Sequence, residues 1–263
     1  MHALSIDRFQ SGTSLIHRLD PRVKVVMTVL FIVSTVILPD GAWPAFGLAW
    51  LATVLTSVLA RLGPAYALKR SFIALPFALA AVSIMFTWPG RPLASFQLGS
   101  WALTVSDAGL VRFVSIVVRS WISVQIAILL TATTRFPDLM HALRHLRLPG
   151  LLVAIISFMY RYLVVLSEET FRLLRAREAR SAGLEGKRMG GSLGWRARVA
   201  GNMAGQLFLR SYERSDRIYS AMQARGFNGE FLTMNPHVMR AFDWTSSAIA
   251  LATIALVQLV GRL

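Results

Sequence analysis

The sequence predicts an all-α membrane protein, with about five transmembrane helices and a cytoplasmic domain of long amphipathic helices. Three observations predict it. Apolar residues make up 55% of the 263, charged ones only 16%, and the mean hydropathy is +0.54. Apolar runs of membrane length recur along the chain. The Lys and Arg residues gather in some of the intervening segments and avoid others, the bias that orients membrane proteins.

The first 20 residues are polar, and the first apolar run begins beside Arg22 and Lys24, as in an uncleaved signal-anchor. Five segments read as spans: 23–38, 42–60, 72–88, 110–132 and 242–260. The first and third are short for a hydrocarbon core of about 30 Å and need flanking residues to cross it. Pro39, Asp40 and Gly41 turn the chain after the first span, and Pro89, Gly90 and Pro92 break it after the third. In the fourth span, Arg112 and Arg119 are seven residues apart and nearly share a face. Arg112 can reach the interface, whereas Arg119 lies deeper and requires protein or water, an intramembrane or partner contact.

Charge sets the orientation. Arg8, Arg18, Arg22 and Lys24 put the N-terminus inside, as Arg61, Lys69 and Arg70 do for the second loop. The 89–109 loop, with Arg91 as its basic residue, then lies outside. A sixth apolar run, "LLVAIISFMYRYLVVL" at 151–166, is 16 residues long and interrupted by Arg161. If it crossed, residues 167–240 would be exported with 13 Lys/Arg against 7 Asp/Glu, a net of +6. The expectation is therefore that it stays on the cytoplasmic side as an interfacial helix, with Arg161 available to a partner. Three regions follow: a membrane domain at 1–132, a cytoplasmic domain at 133–240, and a last transmembrane helix at 241–263.

In the cytoplasmic domain, Pro149 and Gly150 open a helix expected from Leu151 to about Arg180. Its second half, "SEETFRLLRAREARSAG", is amphipathic, and Glu168 and Arg172 are spaced i,i+4 for an ion pair. "GLEGKRMGGSLG" is a Gly-rich connector, since it lacks the phosphate-loop spacing and no strand precedes it. A second helix is expected over 193–225, with Val199, Met203, Leu207, Ile218 and Met222 on one stripe and a break near 210 allowed. Both helices end on an Ala-Arg followed by a small residue, Ala179-Arg180-Ser181 and Ala224-Arg225-Gly226. The small Ala lets another backbone approach and Ser or Gly ends the helix. Arg projects a five-donor fork suited to carboxylates or carbonyls. Two ordinary helix ends with a favourable cation explain the same residues.

"HRLDPRVKVV", "FMYRYLVVLSEETFRLLRAREARSAG" and "IYSAMQARGFNG" together resemble the transmembrane T component of energy-coupling factor (ECF) transporters, closest to the cobalt/nickel CbiQ type. The resemblance runs the length of the chain, with Ser181 where many relatives carry Gly. It implies a coupling scaffold in the bacterial inner membrane. Its partners would be two ABC-type ATPase subunits, a metal-binding membrane S component, a small accessory membrane subunit and membrane lipid. Arg180 and Arg225 would dock in the ATPases. ATP and Mg would belong to those ATPases and cobalt or nickel to the S component, leaving this chain without a cofactor.

Other chemistry is not favoured. The net charge of +15 is read as loop bias rather than nucleic-acid binding. The absence of Cys excludes disulfides and thiolate chemistry. His141 and His145 are spaced i,i+4, but Arg144 and Arg147 beside them oppose a cation. No nucleophile-base pair marks an enzyme. The alternative is a stand-alone channel or secondary carrier. It is disfavoured because proton coupling asks for an acid or histidine within the spans, and none is read there.

Overall fold

A computed structural model describes residues 9–98, 101–180, 192–227 and 238–263. Prolines set many of the helix starts, because a residue without an N–H is best placed where that N–H has no intrahelical acceptor. Pro stands in the first turn of α2 (Pro21–Ile37), α3 (Trp43–Leu59), α4 (Pro64–Ser71) and, further on, α8 (Phe136–His145). A short α1 (Leu15–Arg18) precedes them. The expected third span is instead divided. A 3-10 turn at Phe72–Ala74 leads into α5 (Leu75–Ala81) and α6 (Ile84–Thr87), and Pro64–Ala74 is bent by 52° from Leu79–Thr87.

The segment expected as an outer loop forms an antiparallel hairpin, β1 (Pro92–Leu98) with β2 (Trp101–Ser106), pairing Leu98 with Trp101 at its tip. Ser106 then caps α7 (Asp107–Thr133). The long helices α9 (Gly150–Arg180), α10 (Leu193–Ala224) and α11 (Ala241–Arg262) complete the described elements. No break occurs near residue 210.

By length and composition, α7, α9 and α11 can each cross a membrane, and the bent pair makes up to a fourth crossing. At about 1.5 Å per residue, α2 and α3 reach only about 25 Å, short of a core of about 30 Å. The length criterion thus selects α9, whose apolar half the charge pattern had kept out of the membrane. That half is part of one 31-residue helix, Gly150–Arg180, close to the expected Leu151 to about Arg180.

Two compact units divide the chain. One contains 7–146 and 235–263; residues 147–234 belong to the other. Here α8, which the sequence assigned to the start of the cytoplasmic region, sides with the first unit and lies against α2. In that unit Leu38, Ala45, Phe46, Ala49, Ile122 and Val257 bury one cluster among α3, α7 and α11. Small and polar residues do much of the remaining joining, as expected where lipid removes the hydrophobic drive between helices. Gln258 Nε2 on α11 donates to the Ser34 carbonyl at 2.7 Å and to its hydroxyl at 2.8 Å on α2. Trp121 Nε1 on α7 donates to the buried Ser71 hydroxyl at 2.5 Å.

A buried polar network closes one end of this unit. The Asp243 carboxylate accepts from Asp20 N and from Arg240 N, both at 2.8 Å, and so joins the N-terminus of α11 to that of α2. Asp20 in turn caps α2 by accepting from Arg22 N at 2.8 Å. Lys24 Nζ donates to the carbonyls of His17 at 3.2 Å and Thr133 at 3.1 Å, tying α2 to the segment before it and to the end of α7. Asp20, Lys24 and Asp243 are all buried. Asp243 lies within the predicted 242–260 span, so the reading of the spans as free of acids is incorrect. Its position in the first turn makes it a cap.

Asp243→Ala should therefore strand two backbone N–H groups at once. A buried donor left unsatisfied costs about 1–3 kcal/mol. The thermal midpoint of the purified protein in detergent should fall markedly. Asp243→Asn, which keeps one acceptor oxygen, should fall in between.

Candidate coupling surface

Residues 147–234 present the two expected tips. The α9 helix ends at Arg180, and Ala179 and Arg180 are both exposed. Ser181 and most of the Gly-rich connector lie outside the described residues. At the end of α10, Arg225 is the C-cap and Gly226 follows at φ +77°. Two hydrogen bonds, Gly226 N to the Gln223 carbonyl and Phe227 N to the Met222 carbonyl, each 3.0 Å, make a complete Schellman closure. Ala224, Arg225 and Gly226 are exposed. The glycine has a definite task here: it takes up the left-handed conformation that ends the helix, so that the arginine is left on the last turn facing outward.

The two helices meet through Glu169. Its carboxylate accepts from Arg210 Nη1 on α10 at 2.6 Å and from Arg172 Nη2 one turn along α9. The hydrogen bond from Arg210, with Arg172 alongside, holds the Glu169 carboxyl below its ordinary range. The acid paired with Arg172 is thus Glu169 rather than the expected Glu168, which is exposed. The i,i+4 spacing was favourable, but Glu169 has the second arginine across from it on α10. Val199, Met203, Leu207, Ile218 and Met222 are half-buried on α10, as their spacing predicted, together with Ser211 and Arg214, and the helix has no fully buried residue. Phe208, Leu209, Tyr212 and Tyr219 are exposed by more than half. A 32-residue helix with so little burial among the described residues offers a large area for contact.

The remaining predicted residues fall elsewhere. Arg161 is exposed on α9. Arg119 makes an intramolecular contact: its Nη2 donates to Asp40 Oδ1 at 2.6 Å, and its guanidinium lies 5.6 Å from the Phe46 ring centre. Arg112 joins the same carboxylate at 3.9 Å and stacks 3.7 Å over Trp88. The two arginines thus fasten the α2–α3 turn to α7. Asp40 was read only as a turn residue, and the two arginines on one face of the fourth span were the signal that a carboxylate should answer them. The His141 and His145 rings are 4.7 Å apart, and Arg22 Nη2 lies 3.3 Å from His141 Nε2. Among the described residues, no group of three or more His, Cys, Asp or Glu could hold a metal ion.

Several helices long and apolar enough to cross a membrane define a polytopic membrane protein, here with a second unit of two long, exposed helices. Residues 12–237 match the model of the cobalt transport protein family, CbiQ, and the chain belongs to that family. It is 29% identical to the energy-coupling factor transporter transmembrane protein EcfT of Brevibacillus brevis, over 98% of this chain and 97% of that one. EcfT of Bacillus subtilis is also 29% identical, over 87% of this chain and 86% of its own. An uncharacterized protein of Methanocaldococcus jannaschii, MJ1571, is 23% identical over 97% of this chain and 86% of its own.

If Gly226 is needed for its conformation, Gly226→Ala should cost about 1–2 kcal/mol locally, the penalty of left-handed backbone for a residue with a Cβ. No atom lies within 4 Å of a Cβ added there, so packing should not contribute. Hydrogen exchange at residues 222–227 should accelerate while the core of the membrane unit is unchanged.

Proposed function

We propose that this chain is the T component of an ECF-type importer for cobalt or nickel. It couples two cytoplasmic ABC-type ATPase subunits to a metal-binding membrane S component, beside a small accessory membrane subunit. The observation that carries the coupling role is the pair of exposed arginine tips. Each stands at the end of a helix of more than 30 residues, and such a helix transmits displacement along its axis. Arg180 and Arg225 dock in grooves of the two ATPases, with Ala179, Ser181, Ala224 and Gly226 keeping the approach unobstructed. The chain is not itself an enzyme. Nucleotide and Mg belong to the ATPases and the transported metal to the S component, so this chain needs no cofactor. The N-terminus and residues 133–240 lie on the cytoplasmic side, in keeping with the charge distribution.

Removing one partner of a desolvated charge pair costs about 2–5 kcal/mol at an interface. Arg180→Ala and Arg225→Ala should each reduce ATPase co-purification and cellular metal uptake, and the double variant should reduce both further. Lys at either position should rescue in part, since it keeps the charge and loses the planar fork. Arg198, exposed on α10 and also preceded by Ala, is the control. If Arg198→Ala is as damaging as the tip variants, docking is not the role of the tips.

Sidedness is tested separately. Single cysteines at Ser192 and Ser211 in this Cys-free chain should resist an impermeant thiol reagent in intact cells and react after permeabilisation. Labelling of intact cells would place this unit outside.

A further inference from the structure

Two cavities of the membrane unit adjoin. One is an apolar groove of about 390 Å³ between α2, α3, α7 and α11, walled by residues including Met27, Phe31, Leu55, Leu59 and Ile249. Six hydroxyls line it, those of Thr28, Thr53, Thr56, Thr133, Ser246 and Thr253, and four of them are already engaged. Thr53, Thr56, Thr133 and Thr253 each donate back to the carbonyl four residues earlier. Along α11 the groove runs from Phe242 to Ile254, about 18 Å at 1.5 Å per residue, or roughly one leaflet of a core about 30 Å thick.

The second cavity, about 530 Å³, is polar and shares Leu19, Lys24 and Thr133 with the first. Its cations are Arg18, Arg135, Arg240 and Lys24; its acids are Asp20, Asp138 and Asp243. The Asp243 carboxylate is engaged by two backbone N–H groups, and Asp20 Oδ1 by one. Arg18, Arg135 and Arg240 are exposed at the rim. Lys24, only 8% exposed, stands at the junction. An ammonium has three donors, and two are used by the His17 and Thr133 carbonyls.

We propose that the groove and this vestibule together bind one anionic phospholipid. An acyl chain fills the apolar groove, the phosphate sits among Arg18, Arg135 and Arg240, and the glycerol ester region passes Lys24. Charge complementarity selects the occupant: Asp243 is engaged by two backbone donors and Asp20 Oδ1 by one, while three exposed arginines and Lys24 line the same cavity.

The test is native mass spectrometry of the full chain, extracted in mild detergent and equilibrated with equal phosphatidylglycerol and phosphatidylcholine. One phosphatidylglycerol should stay bound after loosely held lipid is stripped. A basic residue near an anionic surface contributes about fivefold in affinity, so the combined Arg18→Ala and Arg240→Ala variant should lose about 25-fold of the preference. Ile249, 68% exposed at the groove wall, tolerates a larger side chain. Ile249→Trp should weaken both lipids alike and leave the preference intact, with helicity by circular dichroism unchanged. Absence of a stoichiometric lipid, equal retention of the two lipids by the wild type, or retention unaffected by both variants would each overturn the proposal.

Discussion

The membrane unit depends on one carboxylate. Asp243 comes from the far end of the chain and holds the N-termini of both α2 and α11 through 2.8 Å bonds to two backbone N–H groups. The Asp20 N–H would otherwise be an orphan at a buried helix end, where the interior offers no water to receive it. The carboxylate also opposes the partial positive charge of the helix starts. Once this clamp is made, Lys24 one turn into α2 is positioned to fasten the end of α7 through the Thr133 carbonyl. The helices then run from a common origin, and the remaining contacts, such as Gln258 to Ser34, follow along their length.

The opposite end uses a different solution to a similar problem. Asp40 gathers Arg112 and Arg119 from α7, and Gly41 N donates to the Ser115 hydroxyl at 3.0 Å. The α2–α3 turn is thereby fixed to α7. Carboxylate clamps at both ends of the unit make sense in lipid, where apolar side chains gain little by leaving one apolar surface for another. Polar pairing and close small-residue contacts must then decide which helix lies beside which.

The second unit is built on the reverse principle. Its two helices are joined by the Glu169 pairing with Arg172 and Arg210 and by a stripe of half-buried apolar residues, and most of their surface is uncovered. An ion pair open to solvent contributes little to stability. Helices so sparsely supported are suited to contact with other chains.

Apolar periodicity placed the long helices from sequence alone, because a long apolar or amphipathic run has few alternatives in a membrane. The positions of α7, α9, α10 and α11 were therefore legible, as were the stripe from Val199 to Met222 and the Ala-Arg tips. Local chemistry also fixed the end of α10, where glycine is the residue that accommodates the left-handed turn. What tertiary structure decided was pairing. Whether Glu168 or Glu169 answers Arg172 depends on where Arg210 lies across the gap, and Asp243 becomes a clamp only when residues 223 positions apart meet. The hairpin at 92–106 and the division of the expected third span belong to the same class. A side chain's type is written in the sequence, but the partner that gives it a role is set by the distance between segments, which composition and spacing do not contain.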